Sequence, residues 1–263
     1  LLLFRLLEKA GGQFVAASGV ALWSCFVSAP LFQAAYSESL AACLLLGTLL
    51  MLRSRRYWLA ALLVIGESLT RIITPPLGVV VAVHAAWRWR SGDRPTRSEW
   101  AGMGATALLS VTGALHWSWI ATWLAGGDVA FARTQVLAQH RFEWFTKTYE
   151  AVGLAGPAFT IACLAMVLLF ALSERSSAWG LESRVWLVAY VTYLALVTQL
   201  HSGILRYLLL APTMGLMVAG GASGRPTRAR VTGIAVSCVL GLVFQYWWIS
   251  RSFIFASVVT LVP

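Results

Sequence analysis

Long apolar runs, interrupted by short basic or polar turns, occupy most of this chain. A bilayer core about 30 Å thick takes roughly 20 apolar residues per helix, fewer where a segment is short or re-entrant. Against that length the pattern predicts spans near 14–33, 36–52, 57–74, 76–89, 99–123, 156–173, 184–200, 204–221 and 231–250. Residues 1–12 read as a cytoplasmic amphipathic linker carrying Arg5 and Lys9. The predicted fold class is all-α, a polytopic transmembrane helical bundle of about nine spans. It forms one transmembrane domain over 1–263, with an extracytoplasmic loop at about 124–155. No period of 20 to 50 residues repeats, so a solenoid is not indicated.

The stretch Ala34–Arg71 organises the rest. Two apolar runs flank the basic turn Arg53–Arg56, and polar groups stand at both far ends: Tyr36, Ser37, Glu38 and Ser39 at the start, Thr70 and Arg71 at the finish. That is the pattern of a transmembrane helical hairpin. With its basic turn in the cytoplasm, both polar ends emerge on the opposite side, so a carboxylate and a guanidinium share one membrane face. Charges at span ends are functional candidates, because they persist near lipid only with a partner, water or a ligand.

Charge supports the same topology. Taking alternate loops as cytoplasmic puts fourteen of the 20 lysines and arginines inside, as the excess of basic residues in cytoplasmic loops requires. Arg71, Arg133, Arg141, Lys147, Arg206 and Arg251 remain outside. The net charge of +10 therefore reports topology, not nucleic-acid binding. With 59% hydrophobic residues, 11% charged ones and a mean hydropathy of +0.75, most of the chain is excluded from being a water-soluble domain. Abundant arginine and alanine fit a high-GC bacterial genome, so the expected location is a bacterial plasma membrane, as a multi-pass protein. The chain starts at Leu1 with neither an initiator Met nor a signal-peptide pattern, and the expectation is that the N-terminus of the parent protein is missing.

Polar chemistry collects on the outer face: Tyr36 to Ser39, Thr70 and Arg71, His116 with Trp117, His201, and Arg206 with Tyr207. The loop at 124–155 mixes rings such as Phe131, Trp144 and Tyr149 with Arg133, His140, Arg141 and Lys147. Such a segment suits an anionic headgroup surface, or serves as a connecting loop with an aromatic belt. Glu38, between two serines at a helix start, is either an N-terminal cap or the holder of a cation, a metal or a substrate hydroxyl. Arg71 cannot lose its proton and so needs an anion. It precedes Thr74, Pro75, Pro76 and Gly78, which turn the chain back into the membrane. Arg206 lies near the outer start of a span that contains Pro212. Two arginines facing one cavity suit a lipid phosphate or diphosphate, which guanidinium binds through two prongs; the plainer alternative is a structural ion pair with Glu38.

Other chemistry is not indicated. His84 and His116 sit in apolar runs and read as satisfied structural residues, with no HExxH or CxxC pattern. Cys25, Cys43, Cys163 and Cys238 lie inside apolar runs and read as small core residues. The chain holds no GxGxxG, Walker or GxSxG motif.

The segments Tyr36-Ser37-Glu38-Ser39-Leu40, Leu69-Thr70-Arg71 with the proline turn and Gly78, and Leu205-Arg206-Tyr207 with Pro212 resemble the PIG-V family of GPI mannosyltransferases and its bacterial relatives. The resemblance covers about 25–90 and 200–215 and is general elsewhere. It implies a GT-C-like fold and a glycosyltransferase, a mannosyltransferase first of all, taking sugar from a polyprenyl-phosphate donor. The acceptor is a lipid or a glycan on the outer face. A catalytic acidic residue would lie upstream of Leu1, so the chain is either a truncated piece, the favoured reading, or a divergent member without activity. The substrate-binding candidates are Tyr36, Ser37, Glu38, Arg71, His201, Arg206 and Tyr207. No cofactor is indicated beyond the donor substrate; a divalent metal is compatible with the chemistry. The implied partners are membrane lipid, the polyprenyl-phosphate sugar and its acceptor. A non-enzymatic transporter or assembly subunit, with Glu38 and Arg71 as a gating or structural pair, is the competing class. Clustering of polar residues at one face, instead of at a midplane site between repeats, favours the enzyme.

Overall fold

The computed structural model describes residues 1–33, 37–125, 141–198, 203–219 and 226–251. Within them the chain is all-α, with no strand. The helices are α1 (Leu2–Ser24), α2 (Glu38–Arg53), α3 (Tyr57–Thr70), α4 (Pro75–Arg90), α5 (Arg97–Ala125), α6 (Glu143–Val152), α7 (Ala155–Leu172), α8 (Leu181–Val197), α9 (Ile204–Leu208), α10 (Met214–Val218) and α11 (Arg228–Ile249). Two of these, α7 and α11, are long and apolar enough to cross a membrane, and α3 is a shorter apolar helix.

Local chemistry sets several boundaries. Pro75 and Pro76 occupy the first turn of α4, where a missing N–H is no loss and the fixed φ suits the helix. Thr96 and Glu99 form a capping box at the start of α5: the Thr96 amide donates to Glu99 Oε2 at 2.8 Å and the Glu99 amide to Thr96 Oγ1 at 3.3 Å. At α11, Thr227 Oγ1 accepts from the Arg230 amide. Thr70 ends α3, and Arg71 is extended, with φ −153° and ψ 150°.

Four sequence expectations need correction. Residues 1–12 are not a surface linker: Leu3, Leu6 and Leu7 are buried in the core. At Gly12 φ is 82°, a value glycine adopts without Cβ strain. The chain folds back there, so that Leu7 packs against Gly19. The expected span 204–221 is likewise not one helix. α9 and α10 are five-residue pieces separated by 209–213, because Pro212 offers no N–H and disfavours helical geometry in the residue before it. The cysteines stand on helix flanks, Cys43 exposed and the others half-buried, all as free thiols. The expected loop at 124–155 is partly helical, since α6 falls within it.

The core gathers α1 to α4 with α8 through Leu45, Leu49, Leu77, Trp179, Trp186 and Tyr190, while α5 lies along α3 and α4. α7 and α11 turn large apolar side chains outward, among them Phe159, Leu169, Val243 and Phe244. The polar residues gather at two opposite poles. Lys9, Arg53, Tyr57, Arg88, Glu99 and Glu182 interact at one; Glu38, Arg71 and Arg206 meet at the other.

Candidate functional site

α2 begins at Glu38 and α3 ends just before Arg71, so the hairpin brings the two to the same depth. Glu38 is fully buried, and the guanidinium groups of both Arg71 and Arg206 donate to its Oε1. Arg71 Nε also donates to Ser37 Oγ at 3.1 Å, and its guanidinium carbon lies 5.7 Å from the centre of the Tyr207 ring. Four of the sequence-derived candidates, Ser37, Glu38, Arg71 and Arg206, are thus joined by hydrogen bonds, with Tyr207 against them. Tyr36 and His201 lie outside the described residues.

The broken segment that carries Arg206 keeps its place through side chains from other helices. Carbonyls near a break in a helix draw donors from neighbouring side chains. Ser28 Oγ donates to the Leu205 carbonyl at 2.7 Å, Tyr190 Oη to Tyr207 at 3.0 Å, Trp23 Nε1 to Leu209 at 2.8 Å and Trp186 Nε1 to Leu210 at 2.8 Å. On the Arg71 side, Tyr193 Oη donates to the Ile72 carbonyl at 2.9 Å. Arg71 therefore sits on extended backbone and Arg206 on a short five-residue helix, both tied to rigid helices.

Two positive charges converge on one negative charge. Arg71 is 11% exposed and Arg206 33%, while Glu38 Oε2 stays buried with no hydrogen-bond partner among the described residues. Beside Arg71, an open pocket of about 330 Å³ is lined by Ser68, Thr70, Arg71, Ile72 and Trp117. His116 stands behind it with both ring nitrogens engaged, by Ser68 Oγ at 2.8 Å and Thr112 Oγ1 at 3.0 Å; it is a satisfied structural residue. This arrangement can hold an anion. Guanidinium donors from two elements already converge there, the donor type that matches phosphate oxygens. Among the described residues no group of three His, Cys, Asp or Glu could hold a metal ion.

The sequence reading missed Glu67. It lies one helical turn before Arg71, fully buried, with neither carboxyl oxygen hydrogen-bonded among the described residues. A carboxylate inside the apolar run 57–74 was the available signal. The opposite pole was missed as well. Arg88, counted as a loop charge, is 2% exposed. It donates to Tyr57 Oη at 2.8 Å, Glu99 Oε1 at 2.9 Å and Asp93 Oδ1 at 3.1 Å. His84 bridges Tyr57 Oη at 3.1 Å and Glu182 Oε1 at 2.9 Å, so it too is satisfied. The hydrogen bond from Arg88 holds the Asp93 carboxyl below the usual range. The acidic residues beside this arginine-rich turn, Asp93 and Glu99, were the signal for a buried pair.

No protein-family model, curated protein or solved structure matches this chain.

Proposed function

We propose that this chain is part of a membrane glycosyltransferase of the GT-C kind that moves a sugar, mannose first of all, from a polyprenyl-phosphate donor to a lipid or glycan acceptor. Its helices would form a bundle of about nine spans in a bacterial plasma membrane. The observation that carries the reading is the convergence of Arg71 and Arg206, from separate elements, on one point at one pole. A polyprenyl phosphate leaves as a stable anion, so the enzyme needs a base for the acceptor and donors for the phosphate. Arg71 and Arg206 would supply those donors, with Glu38, Ser37 and Tyr207 orienting them. Tyr36 and His201 belong to the same proposed site by sequence. An apolar cavity of about 500 Å³ passes Leu205, the neighbour of Arg206, and is walled by Leu22, Phe26, Met214, Phe244 and Trp247; this favours a ligand with a lipid tail beside its charged end. Outward apolar side chains on α7 and α11 support a place in the bilayer.

The second reading is a structural role in a non-enzymatic membrane protein. Glu38 favours it, because its full burial between two arginines is also what an ion triad that only fixes the fold would show. Transfer of radiolabelled mannose from a polyprenyl phosphate in liposomes separates the two. The protein is expected to transfer sugar from that donor. Absence of transfer by the protein, with every common polyprenyl-phosphate sugar tried, rules for the structural reading.

A further inference from the structure

On the side of the bundle formed by α4, α7 and α8, away from the Glu38 cluster, lies a groove of about 320 Å³. Val79, Val83, Leu168, Leu172 and Val188 line it, and Arg184 is its charged wall. Val79, Leu168 and Leu172 are among the exposed apolar residues, so the groove opens to the surface that faces lipid if the chain lies in a bilayer. Arg184 stands in the first turn of α8, at the Arg88 pole, which the charge pattern makes the cytoplasmic one. Its Nη1 donates to the Ala171 carbonyl at 3.3 Å, while its Nε is buried and has no hydrogen-bond partner among the described residues. The neighbouring carboxylate of Glu182 is engaged by His84 and Arg53. Exposed Arg175 follows in the adjoining turn 174–179, beside exposed Glu174.

An apolar slot with a guanidinium at its membrane-surface end matches a lipid in both parts. The slot takes a chain that water would not fill, and among the described residues the Arg184 guanidinium has no carboxylate partner. We infer that this groove seats one acyl chain of an anionic phospholipid, with the headgroup phosphate received by Arg184. A zwitterionic lipid has the same chains, but its ammonium offsets the attraction that the arginine provides. The inference depends on the chain lying in a bilayer and not on any transferase activity.

The test uses the 263-residue chain purified in mild detergent, with equal amounts of phosphatidylglycerol and phosphatidylcholine added and the retained lipid counted by native mass spectrometry. One arginine near a membrane surface corresponds to a preference of roughly five-fold for the anionic lipid. Arg184→Gln should reduce that preference to about one-fold and Arg184→Lys should keep most of it, while Arg228→Gln, on another basic turn, should leave it unchanged. Val79→Trp, at an exposed wall position, fills the slot without touching the charge and should lower retention of both lipids. Equal retention of the two lipids by the wild-type chain, or an unchanged preference in Arg184→Gln, overturns the assignment. Should Arg184→Gln fail to fold, undiminished retention in Val79→Trp overturns it instead.

Discussion

Glu38 accepts from two arginines through a single oxygen, so neither guanidinium can be removed without consequence for the other. In the parent protein, Arg71→Ala and Arg206→Ala should each lower sugar transfer by about 100- to 1000-fold, the cost of losing one donor to a developing anion. Arg71→Lys should recover only part of the rate, because an ammonium cannot serve Ser37 and Glu38 in the same fork. Steady-state transfer assays decide this; full activity in both alanine variants removes the phosphate-clamp role. Folding should suffer less than turnover, since either variant leaves Glu38 one cation. Glu67 behaves differently. It is buried with no hydrogen-bond partner for its carboxyl among the described residues, so Glu67→Leu exchanges a desolvated polar group for an apolar one of similar size. That change should stabilise the chain by about 1 to 3 kcal/mol, read as a higher denaturant midpoint in detergent. A loss of stability would mean that the carboxyl has a partner the described residues do not include.

At the level of helices, the hairpin was legible because its charges sit at the ends of apolar runs. A basic turn between two such runs fixes which ends lie together, and Glu38 meeting Arg71 follows from run length alone. The nearness of Arg206 was legible only as a shared face. Its contact with Glu38 depends on where the chain breaks between α9 and α10, and the donors that hold the carbonyls of this broken segment come from Trp23, Ser28, Trp186 and Tyr190, which span 168 positions of sequence. Periodicity carries no information about such pairings. The core role of residues 1–12 was hidden for a related reason. Arg5 and Lys9 suggested a surface, whereas the fold-back at Gly12 buries the leucines between them. The arrangement of the poles supports a labelling experiment in a cysteine-free background. Arg94→Cys should react with a membrane-impermeant thiol reagent only from the cytoplasmic side, and Thr146→Cys only from the outside. Labelling of both from one side would undo the topology and the shared-face argument with it.

Across the whole molecule, the two poles are held together differently. Arg88 holds Asp93 below its ordinary value. The stabilisation this provides is therefore complete above the unfolded carboxylate range, near pH 4, and is lost as pH falls through the lower folded value. Thermal unfolding of wild type and Asp93→Asn should differ at neutral pH and converge as the pH falls through the lowered folded value; a gap that stays constant through the acid range would show that the carboxyl contributes by shape and not by charge. The opposite pole has a mechanical weakness in place of an electrostatic one. Arg206 rides on a short strap suspended from indole, phenol and hydroxyl anchors, so its position can be retuned from the oily interior with every formal charge left in place. Trp186→Phe cuts one anchor four residues beyond Arg206. It should cost about 1 to 3 kcal/mol for the orphaned Leu210 carbonyl and reduce transfer by the parent protein without altering a single ion. Were the proposed clamp to bind a phosphate, its substrate preference would then drift through aromatic substitutions that look like ordinary repacking, far from any residue that carries charge.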